Sequence, residues 1–444
     1  MLLSRFVRDS RLPCELGEIV TYVRKRNLDA KLQDKVGLAK DVWIIPLNRG
    51  FVLCAKDVVL HADTVDPLYW LDGTHSLTEL VGLPYMESAL QQLSYYGLLC
   101  INSHNGSLKE IKINPQYATR YQNGNFVTFS MVPLAVEINI TNTCNFACIH
   151  CSKDSKPVNF PNELSTEEIV GIIEECVQLG IPELRFMGGE PLAHPDFFKF
   201  VQHAKENGVF QLRLSTNGWV IDDDRARELS KWFDTIQISV HGASEVTHDR
   251  IVGKKGAWVQ ARRATRLLVE NGVKVNLGFT VMRQNAHELS DMSQIAIEWG
   301  ANSLGFLCLV PQGRATRLKG WSTEEIFEIG DVIMELQSRL GSRLAFDVAG
   351  FPPLGSIKND ATVFGCEAGK TVMAIDPTGV VKSCGILQDD FKGQIRETNL
   401  LEIWHSPKFI EMRKQSSCED CNYCQICWGQ CRFLEQETLL SDRV

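Results

Sequence analysis

The chain has 444 residues, more than one ordinary domain accommodates, which implies two or three domains. Apolar residues make up 44% and charged residues 23%, a balance that excludes a disordered or fibrous chain. The formal net charge of −8, without a basic stripe, argues against a nucleic-acid substrate, and no apolar run approaches the roughly 20 residues of a membrane helix.

Residues 1–128 read as a small α+β unit. Arg5, Arg8, Asp9 and Arg11 interrupt the first apolar stretch, so no signal peptide is read and a cytoplasmic setting is expected. Strands are predicted at DVWIIPL, GFVLCAK and DVVLHAD, and helices near LYWLDG, SLTELV and MESALQQLSYYGLL.

From 129 to 340 the pattern alternates. β-Branched apolar runs recur at VEINI, ELRFM, FQLRLS, TIQISV, VKVNLGFTV and LGFLCLV, with helical periodicity between them. Two helices open on a Ser-x-x-Glu capping box, Ser165 with Glu168 and Ser322 with Glu325, in which a hydroxyl and a carboxylate satisfy the first-turn N–H groups reciprocally. Six strand–helix units in series imply a parallel sheet with right-handed crossovers, curled into a partial (β/α)6 TIM-like barrel, with the chemistry at the C-terminal strand ends.

The cysteines are distributed unevenly. Three of the 15, Cys144, Cys148 and Cys151, share the loop after VEINI. Thiolates suit zinc or iron–sulfur clusters. Structural zinc wants four protein ligands, and the loop offers three; a cubane takes three thiolates and leaves its fourth iron open to a small molecule. His150 could complete a zinc site only by bending back. The tail, 341–444, carries Cys366 and Cys384 and then Cys418, Cys421, Cys424, Cys427 and Cys431, and is read as a domain organised by metal, iron–sulfur or zinc-knuckle. Cys14, Cys54, Cys100, Cys176 and Cys308 read as small core residues; Cys176 falls on the stripe Ile169, Ile172, Ile173.

The loop CNFACIHC resembles the cluster signature of the radical S-adenosylmethionine (SAM) superfamily, and four further features fall in that family's order. MGGEP (Met187 to Pro191) ends the second strand, STNG (Ser215 to Gly218) the third, ISVHGASEVTHDR begins on the fourth, and VPQGRA follows the sixth. The resemblance covers roughly 134–320. It implies a cluster on Cys144, Cys148 and Cys151, and SAM contacts from Gly188, Gly189, Glu190, Ser215, Asn217 and Ser239, with Glu190 pairing with the cofactor's amino group. From the residues alone, Gly188-Gly189 could equally form a tight turn and Ser239 be a plain strand residue. The chain has His241 where the family often has Asp, and Val252 where it often has Arg.

The tail, with NLLEIWHSPKF before its last cysteines, is similar to the SPASM extension of peptide-modifying radical enzymes. That likeness implies one auxiliary cluster on Cys366, Cys384 and Cys431 and a second on Cys418, Cys421 and Cys427, Cys424 being additional. WLDGTHSLTELV with ALQQLSYYGLL resembles the winged-helix-like PqqD fold, which implies leader-peptide recognition by strand addition; a domain that only packs on the core is the plain alternative. Together the resemblances imply a maturase of ribosomally made peptides that forms a thioether or carbon–carbon crosslink and draws electrons from a flavodoxin or ferredoxin. A dehydrogenase, sulfatase maturase or haem-pathway enzyme, or a non-catalytic iron–sulfur scaffold, remains open. No catalytic acid or base is legible.

Overall fold

The computed structural model describes residues 130, 132–351, 367–387 and 390–414, together with the backbone of seven strands between residues 35 and 110. The chain falls into two compact units, Met1–Gly124 with Thr128–Val132, and Asn125–Val127 with Pro133–Val444.

In the first unit the three predicted strands are present as β2 (Trp43–Pro46), β3 (Phe51–Ala55) and β4 (Val58–Ala62), an antiparallel meander. β1 (Lys35–Leu38) pairs antiparallel with β5 (Asp72–Ser76) and β6 (Leu99–Ile101), and β7 (Lys109–Glu110) adds parallel to β2. β5 takes Asp72 and Gly73 from the helix expected near LYWLDG and Ser76 from the one near SLTELV, a correction that its DGTHS sequence explains, since it contains no strong helix former; the rest of LYWLDG lies outside the described residues. The helices expected around SLTELV and MESALQQLSYYGLL lie outside the described residues.

The second unit is built on one sheet. All six predicted parallel strands form, as β8 (Ala135–Asn139), β9 (Glu183–Met187), β10 (Gln211–Thr216), β11 (Thr235–Ser239), β12 (Lys274–Val281) and β13 (Ser303–Cys308). The parallel run extends beyond them. β14 (Ala345–Ala349) adds beside β13, and β15 (Val372–Ile375), from the tail, adds beside β8. β16 (Val380–Lys382) and β17 (Gly393–Gln394) continue antiparallel on that side. The order is β14-β13-β12-β11-β10-β9-β8-β15-β16-β17.

Alternation along the strands decides what each face does. Val136, Ile138, Leu184, Phe186, Leu212, Leu214, Ile236 and Ile238 are buried in the main core under the helices. Glu137, Arg185, Arg213 and Gln237, the odd-numbered neighbours, are half-buried on the opposite face. Parallel strands covered on both faces usually read as continuous apolar runs. A polar second face therefore marks the side where the sheet is not simply filled.

Both capping boxes form, on α1 (Thr166–Gln178) and, later, on the helix Thr323–Leu340. Cys176 is buried on α1 with Ile169, Ile172 and Ile173, as the stripe predicts. The intervening helices are α2 (Phe197–Glu206), α3 (Asp223–Ser230), α4 (Glu245–Val252), α5 (Ala257–Glu270) and α6 (Leu289–Trp299); Thr323–Leu340 is α7, and α8 (Leu400–Trp404) and α9 (Pro407–Arg413) close the described tail. Among the described residues no helix is long and apolar enough to cross a membrane.

Candidate iron–sulfur and cofactor site

The cysteine loop leaves the C-terminal end of β8 and is sewn to four neighbours. Glu163, just before α1, accepts from the Thr141 hydroxyl at 2.7 Å and from the Asn142 N–H at 2.6 Å. The N–H groups of Gly189 and Glu190, past β9, donate to the Thr141 and Thr143 carbonyls at 2.6 and 2.9 Å. The N–H groups of Ala147 and Ile149 donate to the last turn of α4, at the Val252 and Ile251 carbonyls. Arg314 donates from Nε to the Cys148 carbonyl at 2.8 Å and pairs through its terminal nitrogen with Asp154.

The two glycines of MGGEP answer to this packing. Gly188 has φ of +143°, and a Cβ there would sit 2.5 Å from the Thr141 carbonyl oxygen. At Gly189 it would sit 2.2 Å from the Thr143 oxygen. Glycine is required because the cysteine loop lies directly on this turn.

Cys144 is buried, and Cys148 and Cys151 are partly so. Burial pushes the Cys144 thiol up to about 11 and the Cys148 thiol higher still; Cys144 also feels Cys151, and Cys148 feels both Cys144 and Cys151. Buried thiolates need compensating positive charge, which iron supplies on ligation. The Phe146 N–H points at Cys144 Sγ (3.5 Å) and the Ser155 N–H at Cys151 Sγ (3.4 Å), the donors a ligated thiolate accepts from. The zinc alternative loses its fourth ligand: His150 packs edge-on against His241, ring centroids 4.1 Å apart. Among the described residues no three His, Cys, Asp or Glu side chains converge on one single-ion position. The three-thiol loop fits a cluster.

Glu190 is wholly buried and caps the short helical turn after β9. Its carboxylate accepts from the Leu192 N–H at 3.1 Å, the Thr216 hydroxyl at 2.6 Å and the Asn217 N–H at 2.8 Å, which ties the ends of β9 and β10 together. Burial raises its pKa against these donors. The Asn217 amide donates to Asn145 Oδ1 at 2.7 Å and lies 4.0 Å from Cys144 Sγ. Ser215 Oγ accepts from Gln237 Nε2 at 3.0 Å. Ser239, the last residue of β11, stands in register with Gly278 of β12. The candidate cofactor residues thus border the cluster loop at the C-terminal ends of β9, β10 and β11.

His241 and Val252 take other roles. Burial lowers the pKa of His241 well below the ordinary imidazole value, and its Nδ1 accepts from the Thr280 N–H at 3.2 Å. Val252 is buried with Phe146, Ile251, Met282 and Leu309 in an apolar cluster beside Cys144. Cys308 is partly buried against the main core, and burial pushes its thiol up to about 12, which keeps it protonated.

Of the tail cysteines Cys384 is described; Cys366, Cys418, Cys421, Cys424, Cys427 and Cys431 lie outside the described residues. Gly385, next to Cys384, donates its N–H to Glu137 of β8 at 3.1 Å. The Lys153 amine senses Glu137, Cys151 and Cys384 together, and burial lowers its pKa. Arg314 lies in the VPQGRA segment that the sequence singled out, though its hold on the cysteine loop was not legible there; Glu163 and Lys153 were not singled out.

Residues 138–295 match the model of the radical SAM superfamily, and residues 366–428 that of an iron–sulfur cluster-binding domain, SPASM. The mycofactocin maturase MftC of Mycolicibacterium smegmatis is 31% identical over 67% of this chain and 78% of its own. The chain belongs to the radical SAM superfamily. This radical SAM protein is also 28% identical, over 66% of its length and 81% of the relative, to an AdoMet-dependent heme synthase of Oleidesulfovibrio alaskensis. In fold it is similar to Streptococcus suis SuiB bound to its precursor peptide SuiA, with a TM-score of 0.65, 17% identity, and coverage of 90% of this chain and 97% of that one. As a radical SAM enzyme with a SPASM domain it takes a [4Fe–4S] cluster, SAM and auxiliary iron–sulfur clusters.

Proposed function

We propose that this enzyme modifies a ribosomally made precursor peptide, forming a crosslink at an unactivated carbon. The observation that carries the reading is the placement of Cys384: its loop docks on Glu137 of β8, next to Lys153 and the cysteine loop. A ligand of an auxiliary cluster and the SAM-binding loop therefore border one face of the sheet. Bond formation after hydrogen abstraction leaves one electron over, and a second redox centre on that face can accept it. The MftC and SuiB likenesses agree with this reading.

In this reading Cys144, Cys148 and Cys151 hold the radical cluster, and Glu190, Ser215, Asn217 and Ser239 position SAM. Gly188 and Gly189 seat the cluster loop. Cys366, Cys384, Cys418, Cys421, Cys424, Cys427 and Cys431 hold one or two auxiliary clusters. When bound, the reduced cluster and SAM supply a 5′-deoxyadenosyl radical that takes hydrogen from the substrate. Val252, Phe146 and Met282 exclude water from the Cys144 side of the loop. Residues 1–128 serve leader recognition, for which β4, at the edge of its sheet among the described strands, is the place for strand addition. A flavodoxin or ferredoxin delivers the electron, and a cytoplasmic setting suits clusters that need a reducing compartment.

A second reading, oxidation of a porphyrin, is favoured by the heme synthase relatives. Co-expression with short open reading frames beside the gene, followed by mass spectrometry, separates them. A peptide lighter by one pair of hydrogen atoms supports the maturase. Decarboxylation of an iron porphyrin by the reduced enzyme, with every peptide unchanged, overturns it.

A further inference from the structure

Beyond Cys151 the chain turns back onto the cysteine loop instead of leaving it. The Cys144 N–H donates to the Lys156 carbonyl at 3.0 Å, and the Thr143 hydroxyl donates to the Val158 carbonyl at 2.9 Å. Residues 144–156 therefore close into a ring that carries all three cysteines of the loop. The return is made at Asp154, which is not glycine yet has φ of +53°. Aspartate tolerates this left-handed region better than most residues, but the conformation persists only where neighbours hold it. Arg314 holds it here. Its terminal nitrogen donates to Asp154 Oδ1 at 2.8 Å, and its backbone N–H donates to the Cys151 carbonyl at 2.9 Å.

The left-handed turn brings Ser155 back to Cys151. Ser155 is 3% exposed, and its N–H reaches Cys151 Sγ at 3.4 Å. The next residue, Lys156, is the one that receives the Cys144 N–H. Ser155 thus stands between the backbone of one cysteine and the sulfur of another. Its hydroxyl is buried there without a hydrogen-bond partner. A buried hydroxyl is nearly always paired, because an unpaired one loses its hydration and gains nothing. Alanine would make the same turn and the same N–H contact without that loss. The unused donor calls for an acceptor that arrives with the cluster.

Cluster sulfur is such an acceptor. Bridging sulfides and ligated thiolates carry negative charge, and that charge grows when the cluster takes up an electron. A hydrogen-bond donor beside them favours the reduced state and raises the reduction potential. We propose that the Ser155 hydroxyl donates to a sulfur of the radical cluster, at or beside Cys151, and so sets how readily that cluster is reduced. One electron enters the cluster, the proton stays on the Ser155 oxygen, and no bond breaks. This role presupposes Cys151 as a cluster ligand and holds for a peptide or a porphyrin substrate alike.

The test is a redox titration of the reconstituted full-length holoenzyme with dithionite and mediators, followed by electron paramagnetic resonance. The signal that changes when SAM is added belongs to the radical cluster, and the auxiliary signals are the internal reference. At a fixed potential, Ser155→Ala is expected to lower the ratio of reduced to oxidised radical cluster about tenfold, a midpoint lower by about 59 mV, with the auxiliary midpoints unmoved. Ser155→Thr, which keeps the hydroxyl, should recover most of the loss. Iron content per chain reports whether each variant has folded around its clusters; should Ser155→Ala lose iron, Ser155→Gly carries the same comparison. In D2O, electron–nuclear double resonance of the reduced wild type should show an exchangeable deuteron, coupled to the SAM-responsive signal, that Ser155→Ala lacks. A purely structural serine would not produce that difference. An unmoved midpoint in Ser155→Ala, the same coupled deuterons in both proteins, or an equal fall in the auxiliary midpoints overturns the proposal. Cys151→Ala should abolish the SAM-responsive signal. If that signal survives, Cys151 is not a ligand and the cluster-loop assignment fails together with this role. If it is lost while the Ser155→Ala midpoint stays put, the role of Ser155 alone is refuted.

Discussion

Replacing Gly189 by alanine should uncouple the cysteine loop from the sheet. The added Cβ would meet the Thr143 oxygen at 2.2 Å and the Asn142 oxygen at 2.7 Å, both backbone atoms. Tolerated contacts begin at 3.0–3.4 Å, so the loop must retreat by 0.8–1.2 Å (3.0 or 3.4 minus 2.2). Overpacking costs about 1–3 kcal/mol, and weakening the Gly189 and Glu190 bonds to the loop adds roughly 0.5–1.5 kcal/mol each. The displaced backbone leads straight into Cys144. Reconstituted Gly189→Ala should therefore hold less iron and sulfide per chain and unfold at lower urea. Gly171→Ala is the control, in α1 with open space around its Cβ; it should stabilise by about 0.5–1 kcal/mol. Wild-type iron content and urea midpoint in Gly189→Ala, or an equal loss in Gly171→Ala, would refute the reasoning.

Burial lowers His248 to about 4, and its Nδ1 accepts the His241 N–H. The unfolded chain takes up this proton first, so the associated stability is complete above about pH 6.5 and drains away toward pH 4. Between pH 7 and 5.5 that is about 1 kcal/mol, which His248→Asn, retaining an acceptor, should abolish in urea titrations; identical slopes for both proteins would contradict it. Arg396 forms a two-point ion pair with Glu168 of α1 and holds that carboxylate down to about 2. Both groups are about one-third exposed, so Arg396→Ala should cost less than about 1 kcal/mol, with the effect fading in high salt; a larger, salt-independent loss would show that the pair is not a surface one. A chain lacking Cys144, Cys148 and Cys151 should still bind iron through its tail on anaerobic reconstitution. Iron near zero in that variant would remove the auxiliary clusters from the proposal.

The legible features were those whose cause is local. Ser165 and Ser322 cap their helices because each glutamate is three residues away, and the six strands followed from apolar runs bounded by helical periodicity. AFDVA at 345–349 hid its strand: Asp347 interrupts the apolar run, and Ala345, Val348 and Ala349 are exposed rather than core. VMAI at 372–375 is apolar throughout, yet nothing nearby says that it will pair with a strand more than 230 residues earlier. Distance along the chain also hid Glu163, and it hid the role of Arg314 within VPQGRA; their bonds to the cysteine loop span 21 and 166 residues. The glycine pair was legible as a need for space but not as to what fills it.

β15 has an implication for how this architecture can be divided. It is part of the cysteine-rich tail in sequence, yet it hydrogen-bonds along β8, the strand that launches the radical cluster loop. A truncation before Val372 would strip more than metal ligands. It would turn β8 into a naked edge, with its amide and carbonyl groups open to another chain, the usual start of aggregation. The tail is thus not a module that evolution or an engineer can detach at the point where the cysteines begin. Any exchange of tails between such enzymes must carry a strand of the right length and register, and soluble expression of a shortened core depends on replacing that strand.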